Sequence, residues 1–570
     1  MSESRPSKIV LADYFLGFST REISGGARPW RLYYETEEDA GQKPPKCDAA
    51  FSGDLYVNGE IKDIASTYYP AIGPYDTTDE DVAEFHVLLA KSAGIDGFMC
   101  EFTIGQEAKL LALVNAARKY DFKIGVNWIN QSHLSENTWR DRAEAIEKAR
   151  DVVRWLAENV YKPCGVRVNE KYLLLVFLAH PRDPSKPFDP FFSPAEVRDL
   201  KQVAHNAGLD ANFVVLPWER LPDLPAGTTT ADRVWDGYFP WVWSSSGKPT
   251  DGSAWSRVTT RAEYIERLRD YYAMAKRVQR EGRIGITLGA VCPGFDDHKG
   301  QAWGEGLKRY LPRDGGLTLK DTWTELKNSG VDIALIITWN DWVESSQIEP
   351  SLELGYQELV ACAEQIADWK KSTFENRLLV LPEQLLRARR DLRLLAKAGY
   401  SIDELDPINK SLDKVAETIA TQSPSAIDLL ASAQTRIGSL KNRVQRREIH
   451  AFWELGFDSL GLTAAGESGF AIADDLRSEI HKGHLVAKFC FEYLDNGVDF
   501  IQVLVDAADE AHQIIASFKK TNTDRWLKAS LELLNARFVR GLPGQADFLI
   551  RQRNPNPVRM VRIDGAVFIR

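Results

Sequence analysis

Two carboxylates stand three residues apart at the end of an apolar run. The run, residues 334–338, predicts a short buried strand, and it breaks into Trp-Asn-Asp-Trp-Val-Glu at 339–344. A pair such as Asp341 and Glu344 could divide the work of sugar hydrolysis, since one carboxyl donates a proton while the other acts as base or nucleophile. The spacing alone fits a capped turn nearly as well, with Asp341 as the cap. The strands and helices that position the pair must therefore distinguish a catalytic pair from a capped turn.

Eight short apolar runs precede residue 345, and helical-period segments lie between several of them. The runs are 9–15, 97–102, 124–129, 172–178, 213–218, 237–242, 284–290 and 333–338; the helical segments are 80–93, 106–120, 140–160, 193–207 and 260–280. Short buried strands that alternate with amphipathic helices predict a parallel sheet. Eight units in about 340 residues predict an α/β fold of the (β/α)8 TIM-barrel type. An open doubly wound sheet is the alternative, but no Gly-rich phosphate loop follows the first run.

Polar and aromatic residues recur where these strands end. In a barrel the carboxyl ends of the strands form the active-site face, so these residues should line one cleft and bind a polyhydroxylated ligand. The candidate ligand-binding residues are Asp13, Glu101, Asn127, Trp128, Trp218, Trp241, Asp296, Asp297, Trp339 and Asn340. Glu349 is a further candidate, although a loop-fixing or salt-bridge role is the alternative for it.

The character of the chain changes twice after the barrel. Segments 383–399, 402–421 and 425–450 have helical spacing, and from residue 451 the apolar period becomes two, which predicts a β-sandwich. We therefore expect a catalytic barrel at 1–372, a three-helix linker domain at 373–450 and a sandwich at 451–570. The helical part is either a packing unit or an interaction arm that supports a homo-oligomer.

Composition limits the partners and cofactors. The formal net charge of −10 argues against nucleic acid and anionic membranes as partners. The six cysteines include no CxxC pair, and no ligand spacing supports a metal, so we expect neither metal nor cofactor. Without a visible signal peptide the default location is cytoplasmic, or secreted if a leader has been removed.

The strand-end motif resembles two glycoside hydrolase families. Residues 338–341, Glu344 and Ser345 match the Thr-Trp-Asn-Asp…Glu-Ser pattern of family 71, the fungal-type α-1,3-glucanases. The Tyr-Pro-Ala-Ile-Gly segment at 69–73, the Pro-Gly-Phe-Asp-Asp loop at 293–297 and Gln-Ile-Glu at 347–349 resemble family 99, the endo-α-mannosidase-like proteins. The resemblance covers about residues 9–370, and it implies a clan rather than one family.

This resemblance implies roles for individual residues. It makes Asp341 the base and Glu344 the proton donor, and it adds Tyr69 to the substrate-binding residues. A proton donor needs a raised pKa, which apolar walls such as Trp339 and Trp342 would supply to Glu344. Two routes remain open. One is inversion, and in the other the base deprotonates the sugar 2-hydroxyl. The segments 524–528, 535–538 and 544–548 resemble a jelly-roll module appended to such hydrolases, either carbohydrate-binding or purely stabilising.

The resulting hypothesis is a glycoside hydrolase that cleaves α-linked bonds of an oligo- or polysaccharide, in carbohydrate metabolism or polysaccharide degradation. The alternatives are a non-catalytic glycan-binding or scaffold protein and a protein of polysaccharide biosynthesis. A glycosyltransferase would usually need a nucleotide-sugar site, and no DxD motif followed by a nucleotide-binding pattern is visible.

Overall fold

The fold is described from a computed structural model of the chain. The described residues are 8–32, 46–47, 49–57, 61–130, 139–179, 192–217, 234–242, 248–249, 257–397, 400–443, 452–454, 467–472, 484–497, 500–505, 513–534, 548–552 and 558–568. The chain divides into two compact units, one formed by 1–19 with 66–382 and the other by 20–65 with 383–570.

The first unit contains a parallel sheet that closes into a barrel. Its strands in the described residues are β1 (Ile9–Phe15), β2 (Gly97–Phe102), β3 (Lys123–Trp128), β4 (Lys171–Ala179), β5 (Ala211–Pro217), β6 (Gly237–Tyr238), β7 (Ile286–Thr287), β8 (Gly289–Val291) and β9 (Ile333–Ile336). Their order in the sheet is β7-β6-β5-β4-β3-β2-β1-β9-β8. The two strands at the ends, β7 and β8, are separated only by Leu288, so the sheet meets itself there.

The predicted (β/α)8 barrel is confirmed, with one strand differing in detail. Each apolar run contributes a strand, but the run 284–290 forms two short strands, because Ile286 pairs with Gly237 while Gly289 pairs with Ala334. An apolar run gives no signal for such a change of partner. The interior is tightly packed: a Cβ on Gly125 would lie 2.5 Å from the sulfur of Met99.

Helices follow most barrel strands. In the described part of the first unit they are α1 (Glu80–Ser92), α2 (Glu107–Lys119), α3 (Arg142–Leu156), α4 (Pro194–Asn206), α5 (Arg261–Arg280), α6 (Leu317–Ser329) and α7 (Gln357–Lys370). Capping boxes begin two of them, with Ser193 and Glu196 at α4 and Thr260 and Glu263 at α5. These caps satisfy backbone N–H groups that the first turn leaves unpaired.

Smaller elements complete the first unit. They are the strands Arg167–Val168, Lys248–Pro249, Arg257–Val258, Phe295–Asp296 and Arg309–Leu311, the short helices Lys162–Cys164 and Gln301–Gly304, the π-helix Ala157–Tyr161, and the 3-10 turns Asp314–Gly316 and Asn376–Leu378. Four of these strands form a separate sheet in the order 248–249, 257–258, 309–311 and 295–296. This sheet carries residues of the candidate site.

The second unit contains helices and two sheets. Its described helices are Arg21–Ser24, Leu381–Lys397 (which begins at the end of the first unit), Ile402–Ala420 and Ala426–Arg443; its strands are Tyr56–Val57, Ile61–Lys62, Phe452–Glu454, Glu467–Ile472, His484–Asp495, Phe500–Val505, Gln513–Lys519, Arg525–Leu534, Phe548–Gln552 and Val558–Phe568. The three-stranded sheet faces the seven-stranded one through Phe491 and Phe518, whose ring centroids lie 5.2 Å apart. The expected helices followed by strand sheets are thus confirmed.

Residues 20–65 contribute to this second unit. Tyr56 pairs with Phe518 in parallel, so the strands Tyr56–Val57 and Ile61–Lys62 extend the seven-stranded sheet. The predicted boundaries near residues 372 and 450 stay predictions. Among the described residues, no helix combines the length and apolar character needed to cross a membrane.

Candidate active site

A group of polar side chains lies at neighbouring positions of the first three barrel strands. Glu101 of β2 pairs in register with Phe15 of β1 and with Asn127 of β3. The Asn127 Nδ2 donates to Asp13 Oδ2 at 2.9 Å, and both residues are fully buried. The Asn127 Oδ1 atom has no hydrogen-bond partner among the described residues. Three sequence-predicted residues therefore meet, and one buried oxygen can accept from a ligand.

Asp13 and Glu101 are two buried carboxyl groups whose pKa values are both raised. Burial raises the pKa of Asp13 to about 7, although hydrogen bonds from Glu101 and Asn127 act in the opposite direction. Burial, followed by the neighbouring charge of Asp13, raises the pKa of Glu101 well above its usual range. A protonated Glu101 can donate to Asp13, as two close carboxyl groups that cannot both ionise require.

The loop after β9 is a folded turn that places the predicted acid pair. Thr338 Oγ1 accepts from the Asp341 N–H at 2.9 Å, and Asp341 Oδ1 accepts from the Glu344 N–H at 3.0 Å. Asp341 is thus the cap of this turn, as the structural reading of the motif expected. Its Oδ2 atom has no donor among the described residues, so capping leaves one carboxyl oxygen available.

Asp341 lies in an environment that disfavours a negative charge. Burial, then the charges of Glu344 and Glu101, raise the pKa of Asp341 well above its usual range, while the Glu344 N–H bond and Arg309 act against this. Its exposed fraction is 2%. A raised pKa favours the protonated form of Asp341, which is the form a proton donor needs.

Glu344 lies beside a cation and an indole. Its Oε1 atom accepts from Trp303 Nε1 at 3.0 Å and from Arg309 Nη2 at 3.2 Å. Both donors contact Oε1. The other oxygen, Oε2, has no protein donor among the described residues. A guanidinium stabilises a negative charge at this carboxyl group, which makes Glu344 electrostatically unlike Asp341.

Asp297 holds Arg309 in place. The Arg309 Nε donates to Asp297 Oδ2 at 2.6 Å, and the Arg309 N–H donates to Asp297 Oδ1 at 2.5 Å. Burial raises the pKa of Asp297 to about 6, although Arg309 lowers it. Asp297 had been predicted to bind sugar hydroxyls, but here both of its oxygens orient the cation beside Glu344. Asp296, its neighbour, accepts from the His298 N–H and lies 2.8 Å from His298 Nδ1.

Glu349 is part of a buried polar network beneath the loop. Its carboxyl group accepts from Tyr75 Oη at 2.7 Å and from Trp342 Nε1 at 3.1 Å, and it lies 3.0 Å from His86 Nε2. Tyr14 Oη lies 2.9 Å from the other nitrogen of His86. Both Glu349 oxygens are therefore engaged by protein groups, which favours the loop-fixing alternative over sugar binding.

Other predicted residues also lie in the core. Asn340 bonds both backbone groups of Phe15 and donates to Tyr75 Oη at 3.1 Å, so it joins the loop to β1. Trp339 is fully buried against His86 and Phe98. Trp339 and Trp342, which were expected to form apolar walls around Glu344, thus pack under the loop.

The remaining predicted residues are dispersed. Trp128 is buried against Phe192, and Trp241 is 9% exposed and packs edge-on to Phe177. The Tyr69 N–H donates to the Glu353 carboxylate at 3.0 Å. The geometry does not bring these three into direct contact with the acid pair. Trp218 lies outside the described residues.

Sequence reasoning missed Trp303 and Arg309. Both lie between residues 298 and 310, where no period of two or 3.6 identifies a strand or a helix. One signal in the sequence could have identified Trp303, namely a Trp among glycines in Gly-Gln-Ala-Trp-Gly-Glu-Gly at 300–306. A Gly-rich loop offers few apolar side chains for a large aromatic residue to pack against, which suggests another role for it. As for metals, the described residues contain no group of three His, Cys, Asp or Glu side chains arranged to hold an ion.

Several solved structures are similar to the chain. Two structures of the GH99 endo-α-mannosidase from Bacteroides thetaiotaomicron are similar to it at 17% identity, over 64% of this chain and 97% of that chain. The TM-scores are 0.46 and, for the complex with bis-tris-propane, 0.44. A glycoside hydrolase-like protein is similar at 13% identity with a TM-score of 0.41, over 64% and 96% of the two chains.

No curated protein matches the chain. The sequence model of the family described as "Glycosyltransferase WbsX" matches residues 67–362. Family 99, which the motifs resemble, is thus represented among the solved structures similar to the chain, whereas the resemblance to family 71 stays a prediction. Because the family match spans more than half of the residues, the chain belongs to the WbsX family.

Proposed function

We propose that the protein is a glycoside hydrolase that cleaves α-linked bonds of an oligo- or polysaccharide, with Asp341 and Glu344 as its two carboxyl groups. The observation that carries this proposal is the contrast within the pair. Each carboxyl group keeps one oxygen without a protein donor among the described residues, yet Asp341 is buried away from any ion pair while Glu344 lies 3.2 Å from the Arg309 guanidinium. Acid–base hydrolysis requires two such unlike carboxyl groups.

The contrast also suggests which group does what. Burial and neighbouring charge raise the pKa of Asp341, so it suits the general acid. Glu344, bonded through Oε1 to Trp303 and Arg309, can use Oε2 as base or nucleophile. This assignment reverses the roles implied by the family resemblance, in which Asp341 is the base. The preference for α-linkages rests on the resemblance alone.

Substrates with different leaving groups test the assignment. A general acid typically contributes about 10²- to 10⁴-fold to the rate, and it matters least when the leaving group is already a weak base. We expect Asp341→Asn to lose activity on α-linked oligosaccharides but to keep most of it on dinitrophenyl α-glycosides. Glu344→Gln should lose activity on both. NMR of the first-formed anomer in the wild type distinguishes inversion from retention.

The control is Glu375→Gln, which removes a carboxylate that pairs at the surface with Arg377. If Glu344→Gln, rather than Asp341→Asn, is rescued by the activated substrate, the roles implied by the resemblance hold and the hydrolase proposal stands. Near-full oligosaccharide hydrolysis by either variant would rule the pair out.

A second candidate function is glycosyl transfer, which the description of the WbsX family favours. A transferring enzyme could use the same carboxyl pair with a sugar hydroxyl in place of water as the acceptor. Incubation with nucleotide sugars and an oligosaccharide acceptor tests this candidate. Release of nucleoside diphosphate together with a lengthened acceptor would support transfer, whereas unchanged nucleotide sugar alongside hydrolysis of α-linked glycans would support the hydrolase.

A further inference from the structure

Trp303 differs from the other tryptophans near the barrel strand ends. Trp128, Trp339 and Trp342 are fully buried, whereas Trp303 is 45% exposed. An exposed indole is uncommon, because burying its large apolar surface is favourable. Trp303 nevertheless keeps a specific polar contact, since its N–H donates to Glu344 Oε1. Its exposure is therefore combined with a fixed position beside a candidate catalytic group.

The backbone that presents Trp303 has an uncommon conformation. Gln301, Ala302 and Trp303 all have positive φ values, of 48°, 51° and 59°. Residues other than Gly seldom adopt this left-handed region, and successive examples are costly unless surrounding contacts impose them. Such strain tends to occur at functional sites.

Two anchors impose this conformation. The Gln301 N–H donates to the Asp297 carbonyl at 2.5 Å, and the Ala302 N–H donates to Asp297 Oδ2 at 3.2 Å. Gly300 lies so close to the acid loop that a Cβ there would be 2.6 Å from the Val343 carbonyl oxygen. The loop is thus fastened on one side to the aspartate that orients Arg309 and on the other side to the turn that carries Glu344.

The indole ring of Trp303 packs against the aromatic side chain of Phe15. Phe15 contacts it with ring centroids 5.2 Å apart and an interplanar angle of 43°. Phe15 in turn lies across Gly17, where a Cβ would be 2.3 Å from the Phe15 ring. Phe15 and Glu344 therefore fix the indole, while nearly half of its surface stays open to a ligand.

We propose that Trp303 is the platform on which a sugar ring next to the scissile bond stacks, and that its N–H holds Glu344 Oε1 so that Oε2 faces that bond. This inference rests on the proposed function of the pair. Trp303 contributes in two separable ways. The apolar indole face covers the sugar C–H groups, and the N–H positions a carboxylate. Its ligand is a pyranose ring of the glycan rather than an ion or a peptide.

Two substitutions separate these contributions. Trp303→Phe keeps an aromatic face but removes the N–H, so KM should change less than about threefold while kcat falls about 10-fold or more, as expected for a lost hydrogen bond to a charged group. Trp303→Ala removes both, so KM should also rise at least about 10-fold. Trp155→Phe is the matched control, because Trp155 lies on α3 and stacks on Phe102 with ring centroids 5.9 Å apart. Circular dichroism verifies folding of each variant.

Binding is measured separately from hydrolysis. Calorimetry with a panel of α-linked gluco- and manno-oligosaccharides compares Asp341→Asn with the double variants that also carry Trp303→Ala or Trp155→Phe. Weaker binding only with Trp303→Ala supports the platform, even if the wild type hydrolyses nothing and the proposed function fails. If the wild type hydrolyses a glycan and both Trp303 variants match Trp155→Phe, the platform is overturned and the hydrolase stands. Absence of both binding and hydrolysis across the panel overturns both.

Discussion

At the scale of single residues, five nearby acidic groups lie in unlike surroundings. Asp13, Glu101 and Asp341 are held with raised pKa values by burial and by one another. Asp297, whose pKa burial also raises, and Glu344 share one guanidinium, that of Arg309. The group therefore combines buried carboxyl groups with raised pKa values and a carboxylate paired with a guanidinium.

Asp13 predicts a pH dependence of stability. Its folded-state pKa of about 7 is above the ordinary 3.8, so the folded protein binds this proton more tightly than the unfolded chain does. The contribution of Asp13 to stability therefore falls as pH rises from about 4 to about 7 and is level above that. Asp13→Asn removes this contribution, so its melting temperature relative to wild type should increase between pH 4.5 and pH 8.

Thermal denaturation of both proteins across this range provides the measurement. Asp270→Asn, at an exposed position of α5, supplies the matched substitution. A difference between Asp13→Asn and wild type that stays constant or shrinks as pH rises would contradict the raised pKa. The variant should also bind ligand less well, because Asn127 is oriented by the Asp13 carboxylate.

What the sequence reveals about single residues depends on the regularity of the backbone. Asp13, Glu101 and Asn127 could be placed together, because parallel strands bring their carboxyl ends to one side of a barrel. The directions of Trp339 and Glu349 could not be predicted, since an irregular turn has no period that assigns side chains to a face. Trp303 was missed for the same reason.

At the scale of elements, the loop after β9 is held from beneath. Glu349 accepts from Tyr75 and Trp342 and pairs with His86 of α1, while Arg313 donates to the carbonyls of Ser345 and Gln347. These contacts join the loop to elements on both sides of it. The turn at Asp341 therefore depends on residues that do not reach the cleft.

Glu349→Ala tests this dependence. The substitution removes the carboxylate that Tyr75 Oη, Trp342 Nε1 and His86 Nε2 contact. Each buried polar group that is left unsatisfied costs about 1–3 kcal/mol. We expect a lower melting temperature and faster hydrogen exchange in peptides covering residues 337–349, together with reduced activity. Glu349→Gln, which preserves volume and one acceptor, should be milder. Unchanged exchange in the alanine variant would show that the network does not support the loop.

Some elements could be predicted and others could not. Apolar runs bounded by turn residues identified every barrel strand, because a buried parallel strand needs little more than a short continuous apolar segment. Helix α6 was not identified, since Leu317–Ser329 contains three Thr residues that lower its helix propensity, and two Gly residues precede it. The split at Leu288 depends on which neighbours pair, which is tertiary information.

At the scale of the whole molecule, the two compact units are not consecutive in the chain. Residues 20–65 interrupt the first unit and belong to the second. Strands of two residues, such as Tyr56–Val57, leave no alternating pattern to read, so the sequence predicted the barrel and the sandwich but not their interleaved connectivity. Lys519 Nζ and Asp63 Oδ2, 3.0 Å apart, add an ion pair to the strand pairing.

This connectivity predicts how fragments behave. A fragment of residues 1–380 keeps 20–65 but lacks the sheet that these residues extend, so it should be less soluble and melt at a lower temperature than the full chain. Co-expression with residues 381–570 should restore soluble material that co-purifies, because the pairing of Tyr56 with Phe518 needs no covalent link. A 1–380 fragment as stable as the full chain would contradict the shared sheet.

The same pairing has a consequence for biosynthesis. Asp63 and its partner Lys519 are 456 positions apart, and translation proceeds at about 5–20 residues per second. The segment around Asp63 therefore leaves the ribosome tens of seconds before the strand that completes its sheet exists. During that interval the barrel can close around β1. The strands Tyr56–Val57 and Ile61–Lys62 meanwhile lack their partner strand, so their backbone groups could pair with other chains.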